Sequence, residues 1–258
     1  MNYLKKNLKN ILPAPISEFL MHINDLRRPK LSNYKNYIKY TDYKSGIEIG
    51  GPSKLFRSTL PIYQNVERVD GVNFSNSTVW EGNIKAGENY NYFSNRFGTQ
   101  FISDGTDLSH IADNKYDFLL SSNCLEHIAN PLKALLEWKR VLSNGSALIL
   151  VLPNQKNNFD HKRPVTTFQQ LIKKLKNNTL ENDLSSLDEI LELHDLSKDP
   201  QAGNFDNFKK RSLDNFNNRT LHHHVFDLKL MQEMFDFLEM NVILKNDTNK
   251  DFIILATK

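Results

Sequence analysis

Ser45-Gly-Ile-Glu-Ile-Gly-Gly-Pro-Ser53 reads as a buried strand running into a tight glycine turn, followed by a helix capped by Ser53. Glycines at such a turn let backbone come close to a ligand, and the first N–H groups of a following helix are free to bind it. An isolated acid, Asp70, closes the next apolar run, Val66-Glu-Arg-Val-Asp70. An acid about twenty residues beyond the turn can hold both hydroxyls of a ribose. The expected ligand is a nucleoside with an attached tail. Two common nucleotide motifs fail on spacing. Counting from Gly50, the third and sixth positions of a dinucleotide fingerprint are Pro52 and Leu55, and a P-loop would need a hydroxyl residue after Lys54. Glu48, two residues before the glycines, would repel phosphate and welcome an ammonium group.

Three further blocks follow in order. Ile102-Ser-Asp104-Gly-Thr106 places an acid before small residues, and Tyr116-Asp-Phe-Leu-Leu-Ser-Ser-Asn-Cys-Leu-Glu-His127 reads as a strand and its following loop. Trp138-Lys-Arg-Val-Leu-Ser-Asn-Gly145, then Ala147-Leu-Ile-Leu-Val-Leu-Pro153, reads as helix, glycine turn and strand. Across residues 46–153 this series resembles the class I S-adenosylmethionine-dependent methyltransferases, and within them the type 11-like group. The resemblance implies a Rossmann-like, doubly wound α/β sheet, mostly parallel with a reversed C-terminal strand and helices on both faces. It implies S-adenosyl-L-methionine as cosubstrate and S-adenosyl-L-homocysteine as product. It also assigns roles. Glu48 would face the methionine ammonium, and Gly50 and Gly51 would pass beside the tail. Asp70 would accept from the ribose, and Asp104 from the adenine amine with Gly105 and Thr106 beside the ring. Ser122 and Asn123 would line the sulfonium. The family's further turn glycine is replaced by Pro52-Ser53, which suits a helix start.

Composition frames these motifs. The chain has 258 residues, one cysteine (Cys124) and a formal net charge of +3. That length allows a substantial core, and a lone cysteine excludes an intrachain disulfide framework and fits a cytoplasmic setting. No apolar run reaches bilayer-spanning length, so no integral membrane segment is expected. The small net charge does not call for nucleic acid. Residues 1–40 hold eight Lys/Arg against Glu18 and Asp25, with Ile16, Phe19, Leu20, Ile23 and Leu26 at helical spacing. This arm is expected to be an amphipathic lid or a homodimerisation helix packed on a 41–258 methyltransferase domain. Strands are expected near 46–50, 66–70, 100–103, 117–121 and 147–152, a helix at 227–239, and a terminal antiparallel hairpin from Asn241–Lys245 and Asp251–Thr257.

Residues 154–226 are too long for a simple connection and form the expected acceptor-recognition insertion. They carry Asn158-Phe-Asp-His-Lys-Arg-Pro-Val-Thr-Thr-Phe168, Glu192-Leu-His-Asp195 and Asn218-Arg-Thr-Leu-His-His-His-Val225. These segments resemble elements of a group of bacterial methyltransferases. Methyl transfer to a hydroxyl benefits from a base matched to neutral pH, and His127 and His161 are the expected bases. Arg163 and Arg219, with His222, His223 and His224, are the expected acceptor-binding residues, because a guanidinium fork matches phosphate or carboxylate. On a strand, alternate members of the histidine run face opposite sides. No metal is expected. Asp160, His161, His194, Asp195 and His222–His224 offer suitable ligand types, but no tight ligand spacing appears. The expected activity is O-methylation of a small polar, anionic acceptor: a sugar, a nucleotide-linked sugar or a phosphoryl group, in bacterial surface polysaccharide biosynthesis. The alternatives are a nonenzymatic nucleoside-binding scaffold and an N-methyltransferase of a metabolite or protein.

Overall fold

In the computed structural model, the structure describes residue 25 and residues 27–258. Most of the basic arm, including Ile16, Phe19, Leu20, Ile23 and Leu26, lies outside the described residues. The first described helix, α1 (Tyr34–Ile38), turns Tyr37 into the core.

Ten strands follow. The first, β1 (Ser45–Ile49), is the buried run expected before the glycine turn. Next come β2 (Arg68–Asn73), a short hairpin of β3 (Ser77–Thr78) and β4 (Gly82–Asn83), then β5 (Gly87–Phe93) and β6 (Arg96–Ile102). The chain continues through β7 (Tyr116–Ser122), helix α2 (Pro131–Val141) and the long β8 (Leu142–Pro153). It ends with β9 (Asn241–Asp247) and β10 (Asp251–Thr257), the hairpin expected from sequence. Eight strands form one sheet in the order β5-β6-β2-β1-β7-β8-β10-β9. The five from β6 to β8 run parallel, and β5, β10 and β9 run antiparallel to their neighbours. This is the mostly parallel Rossmann-like sheet with a reversed C-terminal strand.

Strand side chains alternate between two cores, as the pleat requires. On β8, Leu148, Leu150 and Leu152 join one core while Ile149 and Val151 join the other. The first core packs beneath α2 and α7 (Leu228–Phe237), with Trp138, Met231, Met234 and Phe235 fully buried. Both helices start where local chemistry directs. Pro131 follows the Asn130 cap of α2, and Asp227 caps α7 by accepting from Leu230 N at 2.7 Å. The second core is built differently from the expected helical layer. Besides α1, it is covered by an irregular stretch and by aromatic side chains. The helix expected after Ser53 is a single π turn, Leu55–Thr59, followed by a 3-10 turn at Ile62–Gln64. Phe56, Leu60, Ile62 and Tyr63 fill the space, met by Tyr90, Tyr92 and Phe93 of β5.

The segment between β8 and α7 folds as four helices: α3 (Phe168–Lys176), α4 (Leu187–Leu193), α5 (Phe205–Leu213) and α6 (Asn215–Asn218). Thr167 and Gln170 form a reciprocal capping box at the start of α3. Ile190, Ala202, Phe208 and Leu221 make a small core of their own. Among the described residues, no helix is long and apolar enough to cross a membrane.

Candidate active site

A cavity of about 750 Å³ opens at the carboxyl ends of the parallel strands, where open α/β sheets place their ligands. One half is floored by Gly50, Asn73, Asp104, Gly105, Ser122 and Asn123, which follow or end β1, β2, β6 and β7. Gly50 has φ +81°, and a Cβ there would meet Cys124 Sγ at 2.6 Å, so the turn requires glycine for both its conformation and its space. At Gly51 a Cβ would stand 2.2 Å from the Glu48 carboxyl carbon. Backbone therefore passes unshielded beside the cavity floor.

Several expected ligand contacts are placed elsewhere. Glu48 is fully buried and does not line the cavity. Its carboxylate accepts from Ser53 Oγ at 2.6 Å, Ser53 N at 3.1 Å, Tyr90 OH at 2.6 Å and the Tyr63 hydroxyl. Burial pushes its pKa up, against the pull of these donors. It braces the glycine turn from behind, with its oxygens occupied by Ser53, Tyr63 and Tyr90. Asp70 is corrected in the same way. It pairs beside Ile47, before the turn, and accepts from Arg68 Nε, Thr99 N and Tyr116 OH at 2.8 Å each. The strand runs on through Gly71 to Asn73, so Asn73 takes the cavity position that Asp70 was expected to hold. Asn73 Nδ2 donates to Gly51 O at 3.0 Å, which ties the ends of β1 and β2 together.

Asp104 does line the cavity. Its Oδ1 accepts from Thr106 N and Oγ1 at 2.9 and 2.8 Å, while Oδ2 lies 3.2 Å from Arg219 Nη2. Thr106 thus holds the Asp104 loop and is not itself in the wall. Trp138 Nε1 donates to Gly105 O at 2.8 Å, fixing the same loop to α2. Gly51, Glu48, Asp70 and Thr106 form a supporting layer around the expected cosubstrate half; the wall itself is Gly50, Asn73, Asp104, Gly105, Ser122 and Asn123.

The other half of the cavity joins the β7 loop to the insertion. Glu126 and His127 end a 3-10 turn after β7, and Phe159, Arg219 and His222 reach in from the insertion. His127 Nδ1 faces Leu221 O at 3.2 Å, so that nitrogen carries the proton and Nε2 keeps its lone pair. Burial first, then neighbouring His222, holds the His127 pKa well below the usual imidazole range. His222 Nδ1 bonds Asp160 Oδ2 at 2.6 Å, and the two imidazole rings meet edge to face with centroids 4.6 Å apart. Burial opposes charge on His222, but Asp160 outweighs it and the pKa ends above the ordinary value. Glu126 is 1% exposed, and burial pushes its carboxyl up to about 7.

Other expected acceptor residues are committed to structure. His161 lies outside the cavity wall, with Nε2 on Asp195 Oδ2 at 2.8 Å. Arg163 is buried, donating to Asp160 at 2.9 Å, Glu189 at 3.1 Å and His222 O at 2.9 Å. His223 meets Asn215 Nδ2, and His224 meets Ala129 O, both at 3.1 Å in the interior. Burial lowers these two to about 3 and about 4. Of the histidine run, His222 alone reaches the cavity wall. Arg219 does line it, but its fork is taken by Asp104 and by Glu181 Oε2 at 2.7 Å.

Sequence reasoning missed Trp80. It sits in the β3–β4 hairpin, 52% exposed, with its ring 5.1 Å from that of His127. An exposed tryptophan between two short polar strand ends was the available sign. Phe159 was quoted in its segment but given no role; it packs 4.7 Å from His222, centroid to centroid.

Residues 48–150 match the family model described as a methyltransferase domain. A solved S-adenosylmethionine-dependent methyltransferase from Mesorhizobium loti is similar in fold, with TM-score 0.52 and 11% identity over 87% of this chain and 95% of that one. A Methanosarcina mazei S-adenosylmethionine-dependent methyltransferase gives TM-score 0.48 and 14% identity over 89% and 98% of the two chains. A comparison with curated proteins gives no match. Residues 48–150 are thus a methyltransferase domain, set in a fold shared with S-adenosylmethionine-dependent methyltransferases. S-adenosyl-L-methionine is the cosubstrate such a domain implies, supplying a methyl group activated on a sulfonium. The residues present fit that molecule: the Gly50 turn, whose positive φ and closeness to Cys124 exclude a side chain, lies beside polar Asn73, Asp104 and Ser122 in one continuous cavity.

Proposed function

We propose that the enzyme transfers its methyl group to a hydroxyl of a small, ring-shaped polar acceptor, a sugar or sugar-linked metabolite. The observation that carries this reading is the wall of the second half of the cavity. Exposed Trp80 stands edge-on to His127, with His222 and Phe159 completing a partly aromatic, partly polar surround. Such a surface stacks an apolar ring face and leaves polar groups for its hydroxyls. His127, held neutral with its Nε2 lone pair available, can take the acceptor proton as the oxygen–methyl bond forms and sulfur keeps the carbon–sulfur pair. Gly50, Asn73, Asp104, Gly105, Ser122 and Asn123 hold the cosubstrate in this reading, and the alignment of methyl and oxygen supplies much of the rate.

The anionic preference expected from sequence loses its support, because Arg163 is buried among carboxylates and Arg219 is held by Asp104 and Glu181. Glu81, Asp104, Glu126 and Asp251 also line the cavity. Lys54 lines it too, so the wall carries both signs and suits a neutral polar sugar at least as well as a phosphorylated one. Sugar units destined for bacterial surface polysaccharide are the first class to screen.

The test is methyl transfer from labelled S-adenosylmethionine to a panel of free sugars, nucleotide-linked sugars and amines, read by mass spectrometry. The expected result is a single added methyl on a sugar hydroxyl, with at least tenfold loss in His127→Ala. Transfer confined to amines or proteins would overturn the acceptor assignment.

A further inference from the structure

We propose that Glu126, His127 and His222 bind a divalent first-row transition-metal ion, of the zinc or cobalt kind, in the wall of the acceptor half of the cavity. One ligand atom from each of the three lies within 4.8 Å of the others. Ligand atoms sharing an ion at bond lengths of about 2.0–2.2 Å stand at most about 4 Å apart, so the triad closes with an adjustment under about 1 Å. Two imidazoles and a carboxylate suit these metals, whereas magnesium and calcium call for oxygen donors.

Two independent features point to a ligand. Glu126 Oε2 is buried and has no hydrogen-bond partner. A buried carboxylate oxygen without a donor is costly, and a cation removes that cost. Each histidine also has its far nitrogen already engaged. His127 Nδ1 donates to Leu221 O, and His222 Nδ1 bonds Asp160 Oδ2, itself fixed by Arg163 Nη1 at 2.9 Å. Metal-bound histidines are held this way, by a carbonyl or carboxylate that orients the ring and leaves Nε2 for the ion. The chain brings Glu126 and His222 together through the His223 N to Glu126 O bond of 2.8 Å, linking the β7 loop to the insertion. That long-range pairing is why no ligand spacing shows in the sequence. All three side chains line the cavity, so remaining coordination positions would face the acceptor.

The role rests on the reading of this half of the cavity as the acceptor site: a hydroxyl reaching the ion would be oriented and made more acidic. In that state His127 gives its lone pair to the ion, and the proton of the acidified hydroxyl passes to water in the open cavity as the oxygen–methyl bond forms and the carbon–sulfur bond breaks.

The experiment uses untagged full-length protein, stripped with a chelator and dialysed against Zn²⁺, Co²⁺ or Mg²⁺. Bound metal is measured by elemental analysis, and Co²⁺ also by its visible ligand-field bands. One equivalent of Zn²⁺ or Co²⁺ is expected, with no retained Mg²⁺. Glu126→Gln and His222→Asn should each abolish stoichiometric retention, and Asp160→Asn should weaken it about 10–100-fold. Glu126→Gln keeps the size of a side chain whose Oε2 has no hydrogen-bond partner to lose, so its thermal midpoint should hold, which separates lost binding from lost folding. Calorimetric titration with S-adenosylhomocysteine serves as the fold control for every variant. Failure to retain Zn²⁺ or Co²⁺, or retention unchanged in the Glu126 and His222 variants, overturns the metal site. Sugar methylation that persists without metal sinks this inference alone; metal binding with no sugar methylation sinks the acceptor reading alone.

Discussion

Asp70 and Asn73 sit three residues apart on one strand and carry different burdens. Asp70 holds β2, β6 and β7 together through three donors at 2.8 Å, away from the cavity. Replacing it with Asn should leave poorly satisfied buried groups and cost about 1–3 kcal/mol of stability, measured by urea unfolding. S-adenosylhomocysteine affinity should then stay within about threefold. Asn73→Ala should do the reverse, weakening that ligand about 3–10-fold, the range of one hydrogen bond, in calorimetric titration. The sequence suggested otherwise because Asp70 precedes a glycine, and Asp-Gly reads as the end of a strand. Gly71 is instead a strand residue, since a Cβ there would stand 2.2 Å from the Tyr90 ring, which needs that space. Glu48 misled for a related reason. Its position in the motif was legible, but the tyrosines that occupy it come from 15 and 42 residues further on.

At the scale of elements, the apolar runs of β1, β7, β8 and β10 were readable because parallel and central strands are buried on both faces. Of the β5–β6 hairpin only the end of β6, expected near 100–103, was readable, since on β5 only Tyr90, Tyr92 and Phe93 are buried and the rest reads polar. The β3–β4 hairpin is two residues a side and carries no periodicity at all. Its Trp80 nonetheless makes a sharp prediction. Trp80→Ala should raise the acceptor KM about fivefold with little change in kcat or thermal midpoint, because the ring is half exposed and worth about 1 kcal/mol as a platform. The insertion has its own acid sensitivity. Asp199 is held down to about 2, first by the His194 side chain and then, against opposing burial, by Arg211 Nη2 at 3.0 Å. A depressed carboxylate stabilises the fold above its unfolded pKa and loses that contribution as pH falls from about 4 to about 2. With screening, the contribution is about 1–2 kcal/mol. Hydrogen exchange in α5 should therefore accelerate across that window in the native protein, and Asp199→Asn should flatten the dependence.

For the whole molecule, the cavity draws on both ends of the fold: the ends of the parallel strands line one half, and the β7 loop and the insertion line the other, the half proposed to take the acceptor. Arg219 spans the two, pairing Asp104 of the sheet side with Glu181 of the insertion. Ligand binding to the sheet half should stabilise the whole by mass action. S-adenosylhomocysteine at about 100 times its Kd should add about 2.7 kcal/mol and raise the thermal midpoint by about 5–10 °C in scanning calorimetry. The order of motifs made the sheet readable, whereas the insertion's pairings, such as His222 with Asp160 across 62 residues, depend on a tertiary closure that no local pattern encodes. The two tryptophans of the chain, Trp80 and Trp138, stand at opposite extremes of environment, one half exposed at the cavity and the other sealed with its indole N–H on Gly105 O. The native protein is thus a built-in two-colour optical probe: a red-shifted emitter expected to dim or shift when the proposed acceptor docks, and a blue one that reports on the Gly105 loop and on melting of the sheet.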